Sequence, residues 1–225
     1  MTMVRQIMGR VSTVVREEGT AVALAKIAKV AVRLFHSDAK DEFDSSFKID
    51  TWREVPLWQL HVPSQNASFG SKYQTTDPSV FQDAIQIVPA DVRDFKFIDL
   101  GCGKERTLIL AAKHGFPTVI GVEFSPELAA IARQNLQQVG VAAEIVEGDA
   151  SEFRFPEGDL LIYMYNPFGK SVMRSVLANL LDWRARHNSQ AFLVYINPVC
   201  QDEFESFDAL KSVAHTSDIG VWKLA

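Results

Sequence analysis

The stretch Phe97-Ile98-Asp99-Leu100-Gly101-Cys102-Gly103, followed at a distance by Gly121-Val122-Glu123, decides how this chain folds. An apolar run ends in an acid and a Gly-x-Gly turn. A helical pattern then leads to a second apolar run (Val119, Ile120, Val122) that ends in another acid. This is the sequence of a β-strand, a tight turn, a helix and a second strand, the unit that builds a nucleoside pocket in an α/β sheet. Glycines let the backbone approach a ligand, and an acid at the second strand end can take a ribose hydroxyl pair. A dinucleotide fingerprint would place a third glycine three positions after the second, where this chain has Arg106.

Outward from that unit, apolar strands and helical patterns alternate. Strands are expected at Phe95–Leu100, Thr118–Phe124, Ala143–Glu147, Leu160–Tyr165 and Ala191–Ile196. The helices between them run from about Lys104 to His114, from Ser125-Pro126-Glu127 onward, and over Val172–Leu181. Asp77-Pro78 and Ser125-Pro126 are helix starts, with a capping side chain followed by proline at the first helical position. Leu210–Thr216 and Val221–Leu224 read as a terminal hairpin. The expected class is α/β: a doubly wound, mostly parallel seven-stranded sheet with a C-terminal antiparallel hairpin, preceded by an N-terminal helical extension. Residues 1–37 form that amphipathic extension, 38–76 a connector and an aromatic lead-in segment expected over the site, and 77–225 the ligand-binding domain. Residues 37–50 are rich in acids and serines and read as solvated connector.

Composition bounds the function. Six Lys/Arg against two Glu in residues 1–36 leave them at +4, while the whole chain is at −5 and the remainder at −9. An acidic body argues against nucleic acid as a partner, because phosphate attraction needs a basic surface. Two distant cysteines form no disulfide framework, which fits a reducing, cytoplasmic compartment. Five histidines show no ligand spacing, so no metal is expected. The run Ala21–Phe35 is broken by Lys26, Lys29 and Arg33 and is too charged to span a bilayer. Those cations either face solvent on a packed helix or touch anionic lipid at a membrane surface.

The pattern Asp99-x-Gly101-x-Gly103 with Glu123 resembles class I, Rossmann-like, S-adenosylmethionine (SAM)-dependent methyltransferases, over about residues 73–198. The resemblance implies SAM as cofactor and assigns roles. Asp99 would orient the methionine amino group, and Gly101 and Gly103 would let the backbone pass under the ligand. Glu123 would accept from both ribose hydroxyls and Phe124 would pack on the adenine. Asp149 and the Ala150 amide would read the adenine edge. The family usually has a small residue where this chain has Glu105. That carboxylate is expected to turn outward, where negative charge suits the helix dipole, the alternative being that it crowds the methionine end.

Asn166-Pro167-Phe168 resembles the Asn/Asp-Pro-Pro-aromatic segment of nitrogen-modifying methyltransferases with one proline missing. It implies a catalytic trio in which the Asn166 oxygen and a proline carbonyl accept from the target N–H. Asn166 would also border the cofactor. Tyr73-x-x-Thr76-Asp77-Pro78 resembles seven-stranded lysine methyltransferases and implies a cofactor contact at Tyr73. With Phe43-Asp44 and Gly103-Lys104-Glu105-Arg106, the Asn-Pro-Phe segment is also similar to a group of bacterial methyltransferase-like proteins. The expected acceptor is a small-molecule or protein amine. The rival readings are a small-molecule or sugar O-methyltransferase and a non-catalytic SAM-binding module. Tyr163 and Tyr165 either belong to the core or line the acceptor channel.

Overall fold

The computed structural model describes residues 42–52, 55 and 75–225. The chain divides into two compact units, Met1–Ser46 and Phe47–Ala225. The expected N-terminal amphipathic helices and Tyr73 lie outside the described residues. Glu42–Phe47 (α1) is helical, so at these residues the expected solvated connector is corrected: Glu42, Asp44, Ser45 and Ser46 sit on a short helix, with Asp44 buried.

Within Phe47–Ala225, the first core helix is α2 (Pro78–Gln86). Asp77 caps it, its Oδ1 accepting from Ser79 N at 2.8 Å. The core then alternates through β1 (Lys96–Leu100), α3 (Arg106–His114), β2 (Thr118–Glu123), α4 (Pro126–Val139), β3 (Glu144–Glu147), β4 (Leu160–Tyr165), α5 (Lys170–Arg186) and β5 (Ala191–Ile196). It closes with α6 (Gln201–Glu205), β6 (Leu210–His215) and β7 (Ile219–Leu224). The seven strands lie in the order β3-β2-β1-β4-β5-β7-β6. Strands β1 to β5 run parallel, and β7 pairs antiparallel with both β5 and β6. This is the seven-stranded mixed sheet expected from the sequence.

The order places the functional edge. From β1 the chain steps outward to β2 and β3, then returns to β4 on the other side of β1. Connections therefore leave the carboxyl ends of β1 and β4 in opposite directions, opening the crevice where α/β sheets bind ligands. Burial on both sheet faces explains the near-continuous apolar strands. On one face Ile98, Ile120 and Ile162 pack with Val176, Leu177 and Trp183 of α5. On the other, Phe97 meets Phe81, Phe116 and Tyr163 at ring-centroid distances of 5.8, 5.2 and 5.8 Å. Tyr163 is fully buried there, which makes it a core residue.

Element ends depart from the sequence reading where caps are cryptic. Helix α3 starts at Arg106 because Glu105 takes a left-handed conformation (φ 78°). Helix α5 runs past both expected ends, and α6 was not expected. The terminal turn is shifted because the Thr216 Oγ1 accepts from Ile219 N at 3.0 Å, starting β7 two residues early.

Gly121 tests the packing under the turn. A Cβ there would lie 2.6 Å from both Cys102 Sγ and Leu108 Cδ1. Gly121→Ala is expected to cost about 1–3 kcal/mol through overpacking, read as a lowered urea midpoint with an unchanged slope. Wild-type stability would show that the turn has room to give.

Candidate functional site

The turn after β1 needs its glycines. Gly101 and Gly103 have φ of 84° and 56°, a region that glycine enters without steric cost. A Cβ on Gly101 would come within 2.6 Å of Pro167 Cβ, so the turn after β1 abuts the turn after β4. The Gly101 and Cys102 amides both donate to Val122 O, at 2.9 and 3.1 Å, fastening the turn to β2.

The side chain of Glu123 fastens it again. Its Oε2 accepts from Gly103 N and its Oε1 from Ser125 N, each at 2.9 Å. One carboxylate thus joins the glycine turn to the start of α4. Glu123 is 3 % exposed, and burial pushes its carboxyl up to about 7 against the opposing effect of the Ser125, Gly103 and Phe124 amides. Asp99 is equally enclosed and bonded to the Thr107 hydroxyl. Burial likewise pushes it up to about 7; the Thr107 hydrogen bond opposes the rise, and the neighbouring Glu123 charge adds to it.

A cleft of about 380 Å³, including its open mouth, lies at the strand ends. Gly101, Phe124, Asp149, Ala150, Pro167 and Phe168 line it, so six of the residues singled out from sequence come together. Gly103, Asp99 and Glu123 stand behind this wall and do not form its lining. Asp149 caps the short 3-10 turn Ala150–Glu152, its Oδ1 accepting from Ser151 N at 2.8 Å. Asn166, half-buried beside Pro167, adopts a left-handed φ of 40°. That backbone is uncommon for a residue with a side chain and is strained.

Glu105 does not turn outward. It is fully buried, and its Oε1 accepts from Asn135 Nδ2 of α4 at 3.1 Å. The left-handed backbone at Glu105 explains the difference, because the residue stands before the helix and not on its first exposed turn. It is also absent from the lining of the cleft.

The flanking cations carry a role that the sequence reading missed. Lys104 is 3 % exposed and pairs with Asp50 at 3.5 Å. Arg106 donates to Thr51 Oγ1 at 2.7 Å, with its guanidinium 5.9 Å from the Trp52 ring centre. The glycine turn therefore grips residues 50–52 through its flanking cations.

The two enclosed acids set a pH dependence. Their carboxyls hold protons to about pH 7 in the fold, whereas the unfolded chain ionises them near pH 4. Between these limits the native state binds more protons, so their contribution to stability falls as pH rises from about 4 to 7 and then levels off. Urea unfolding across that window is expected to show a smaller decline for Asp99→Asn and Glu123→Gln than for the wild type. An identical slope would mean that both groups ionise freely in the fold.

Two groups of comparisons bear on this geometry. Residues 97–186 match a family described as a methyltransferase domain. Among solved structures, the chain is similar to TrmN from Thermus thermophilus, with 16 % identity and a TM-score of 0.52 over 66 % of this chain and 49 % of that one. It is also similar to a predicted N6-adenine-specific DNA methylase from Listeria monocytogenes, with 12 % identity and a TM-score of 0.51 over 67 % of this chain and 51 % of that one. The chain thus spans about half the length of these two structures, and the likeness is one of fold. No curated protein sequence matches it. Residues 97–186 thus match a methyltransferase-domain family, and the sheet order with its cleft at the switch point is that of a Rossmann-like fold.

Proposed function

We propose that this protein methylates a nitrogen acceptor at the Asn166-Pro167-Phe168 corner. The observation that carries the reading is the contact of that corner with the glycine turn, Pro167 against Gly101, at the mouth of one cleft. A cofactor lying on the glycine turn and an acceptor lying on the corner would then be neighbours.

The residues present fit the cofactor. Among the described residues no cation pairs with the two enclosed carboxyl groups, and a ligand with ammonium and sulfonium charges would compensate their ionised forms. In this reading Asp99 faces the methionine amino group. Glu123 keeps its two amide donors and uses its remaining lone pairs for the ribose hydroxyls. Phe124 packs on the adenine, and Asp149 and Ala150 border its edge. Bound SAM supplies an activated methyl group, so the protein's task is alignment and exclusion of water.

For the acceptor, the Asn166 oxygen and the Pro167 carbonyl accept from an N–H, which holds the nitrogen lone pair toward the cofactor. An amine must be neutral to attack, and a desolvated cleft lowers its pKa. The cleft lining named above contains no His or Lys to serve as a general base, which favours nitrogen over a hydroxyl acceptor. The charge of −9 outside residues 1–36 favours a small-molecule or protein amine over nucleic acid.

Calorimetric titration with SAM and with S-adenosylhomocysteine tests the reading. Wild-type binding is expected to weaken roughly 10–100-fold in Glu123→Ala, the loss of hydrogen bonds to a charged group. SAM binding is expected to release protons near pH 7, because the cofactor's charge favours ionised Asp99 and Glu123. Repeating the titration in two buffers of different ionisation enthalpy reads that release. Absence of SAM binding by the wild type would overturn the proposal.

A further inference from the structure

Next to the Asn166 corner lies a second one. Strands β4 and β5 pair in register, Tyr165 with Ile196, so Asn166-Pro167 and Asn197-Pro198 leave the sheet side by side. Both asparagines are left-handed, at φ 40° and 50°, ahead of prolines that disfavour compact backbone at the preceding residue. One hydroxyl joins the two corners. Tyr195 Oη lies 3.2 Å from Asn166 Oδ1 and 3.3 Å from Cys200 N. The Cys200 thiol in turn reaches Phe168 O at 3.9 Å.

The chemistry of these groups fixes their polarity. A backbone N–H only donates, so Tyr195 Oη accepts from Cys200. Its own proton is then the donor toward Asn166, and the carboxamide must present oxygen to it. A flipped carboxamide would set N–H against Oη and strand the hydroxyl proton. Tyr195 is fully buried, so stranding it there is costly. The ring itself cannot yield. It stacks on Phe204, with centroids 5.7 Å apart, and Phe204 packs on Trp222 at 4.4 Å. Helix α6, which carries Phe204, is tied to α5 by the Arg174–Glu203 and Lys170–Asp202 ion pairs.

We infer that Tyr195 is a positioning residue: its hydroxyl holds the Asn166 carboxamide in one orientation, leaving the second lone pair of Oδ1 for the acceptor N–H. The inference rests on the proposed role of Asn166 at the acceptor. It adds a residue outside the cleft lining, on a strand separated from β1 by β4.

The test is Tyr195→Phe in the full chain, read in three ways. Spectra of protein labelled with 15N at asparagine follow the Asn166 side-chain amide, assigned by its loss in Asn166→Asp. Calorimetry follows S-adenosylhomocysteine. Tritiated SAM, with an extract of cells lacking this protein, follows methyl transfer. The expected result is a displaced, motionally averaged Asn166 amide pair and unchanged S-adenosylhomocysteine affinity. Transfer should be lower by roughly 10–100-fold, the range for a misplaced reacting group, with Asn166→Ala at least as impaired. An Asn166 amide unmoved by the substitution overturns the inference. So does unaltered transfer, or a variant that no longer binds S-adenosylhomocysteine, since the hydroxyl would then serve the fold. Wild-type-like transfer by Asn166→Ala, or no transfer by the wild type, defeats instead the proposed role of Asn166. In those two cases the amide spectra still decide whether the hydroxyl orients the carboxamide.

Discussion

One buried carboxylate organises the functional edge of this sheet. Glu123 closes β2, and its two oxygens take the amide of Gly103 on one side and that of Ser125 on the other. The glycine turn and the start of α4 therefore share a single anchor. Val122 O, accepting from Gly101 and Cys102, secures the same turn one residue earlier. Burying a carboxylate is costly unless donors or charge compensate it. Two amides compensate in part, and the carboxyl stays displaced to about 7. The fold thus holds an acid whose ionised form is only partly compensated, and Asp99, one strand away, is likewise displaced to about 7.

Close contact, more than charge, links the two halves of the cleft. Gly101 leaves no room for a side chain against Pro167, so the turns after β1 and β4 are in close contact. The left-handed Asn166 behind Pro167 is a local strain that the surrounding packing must hold. Such strain is tolerated where the neighbours over-determine the backbone. The aromatic stack beneath β5 and the ion pairs between α5 and α6 supply that constraint.

Much of this was legible in the sequence because it depends on neighbours in sequence. Apolar runs ending in Asp99, Glu123, Asp149 and Asn166 announced parallel strands whose ends meet at one edge. Asp77-Pro78 and Ser125-Pro126 announced helix starts, and both act as caps. What escaped depends on residues far apart or on uncommon backbone. Nothing local in the sequence marks Lys104 and Arg106 as buried, yet each is enclosed by partners about fifty residues away. Glu105 read as an outward carboxylate because its left-handed backbone has no sequence signature outside glycine and asparagine. Tyr195 read as one more apolar position of a buried strand. Its hydroxyl acquires meaning only once β4 and β5 are in register.

A crystal structure of the protein with S-adenosylhomocysteine tests the central claim most directly. The account predicts the nucleoside in the cleft between Phe124 and Ala150, both ribose hydroxyls on Glu123, and the Gly103 and Ser125 amides still bonded to that carboxylate. A nucleoside bound elsewhere, or a Glu123 that must abandon both amides to reach it, would contradict the account.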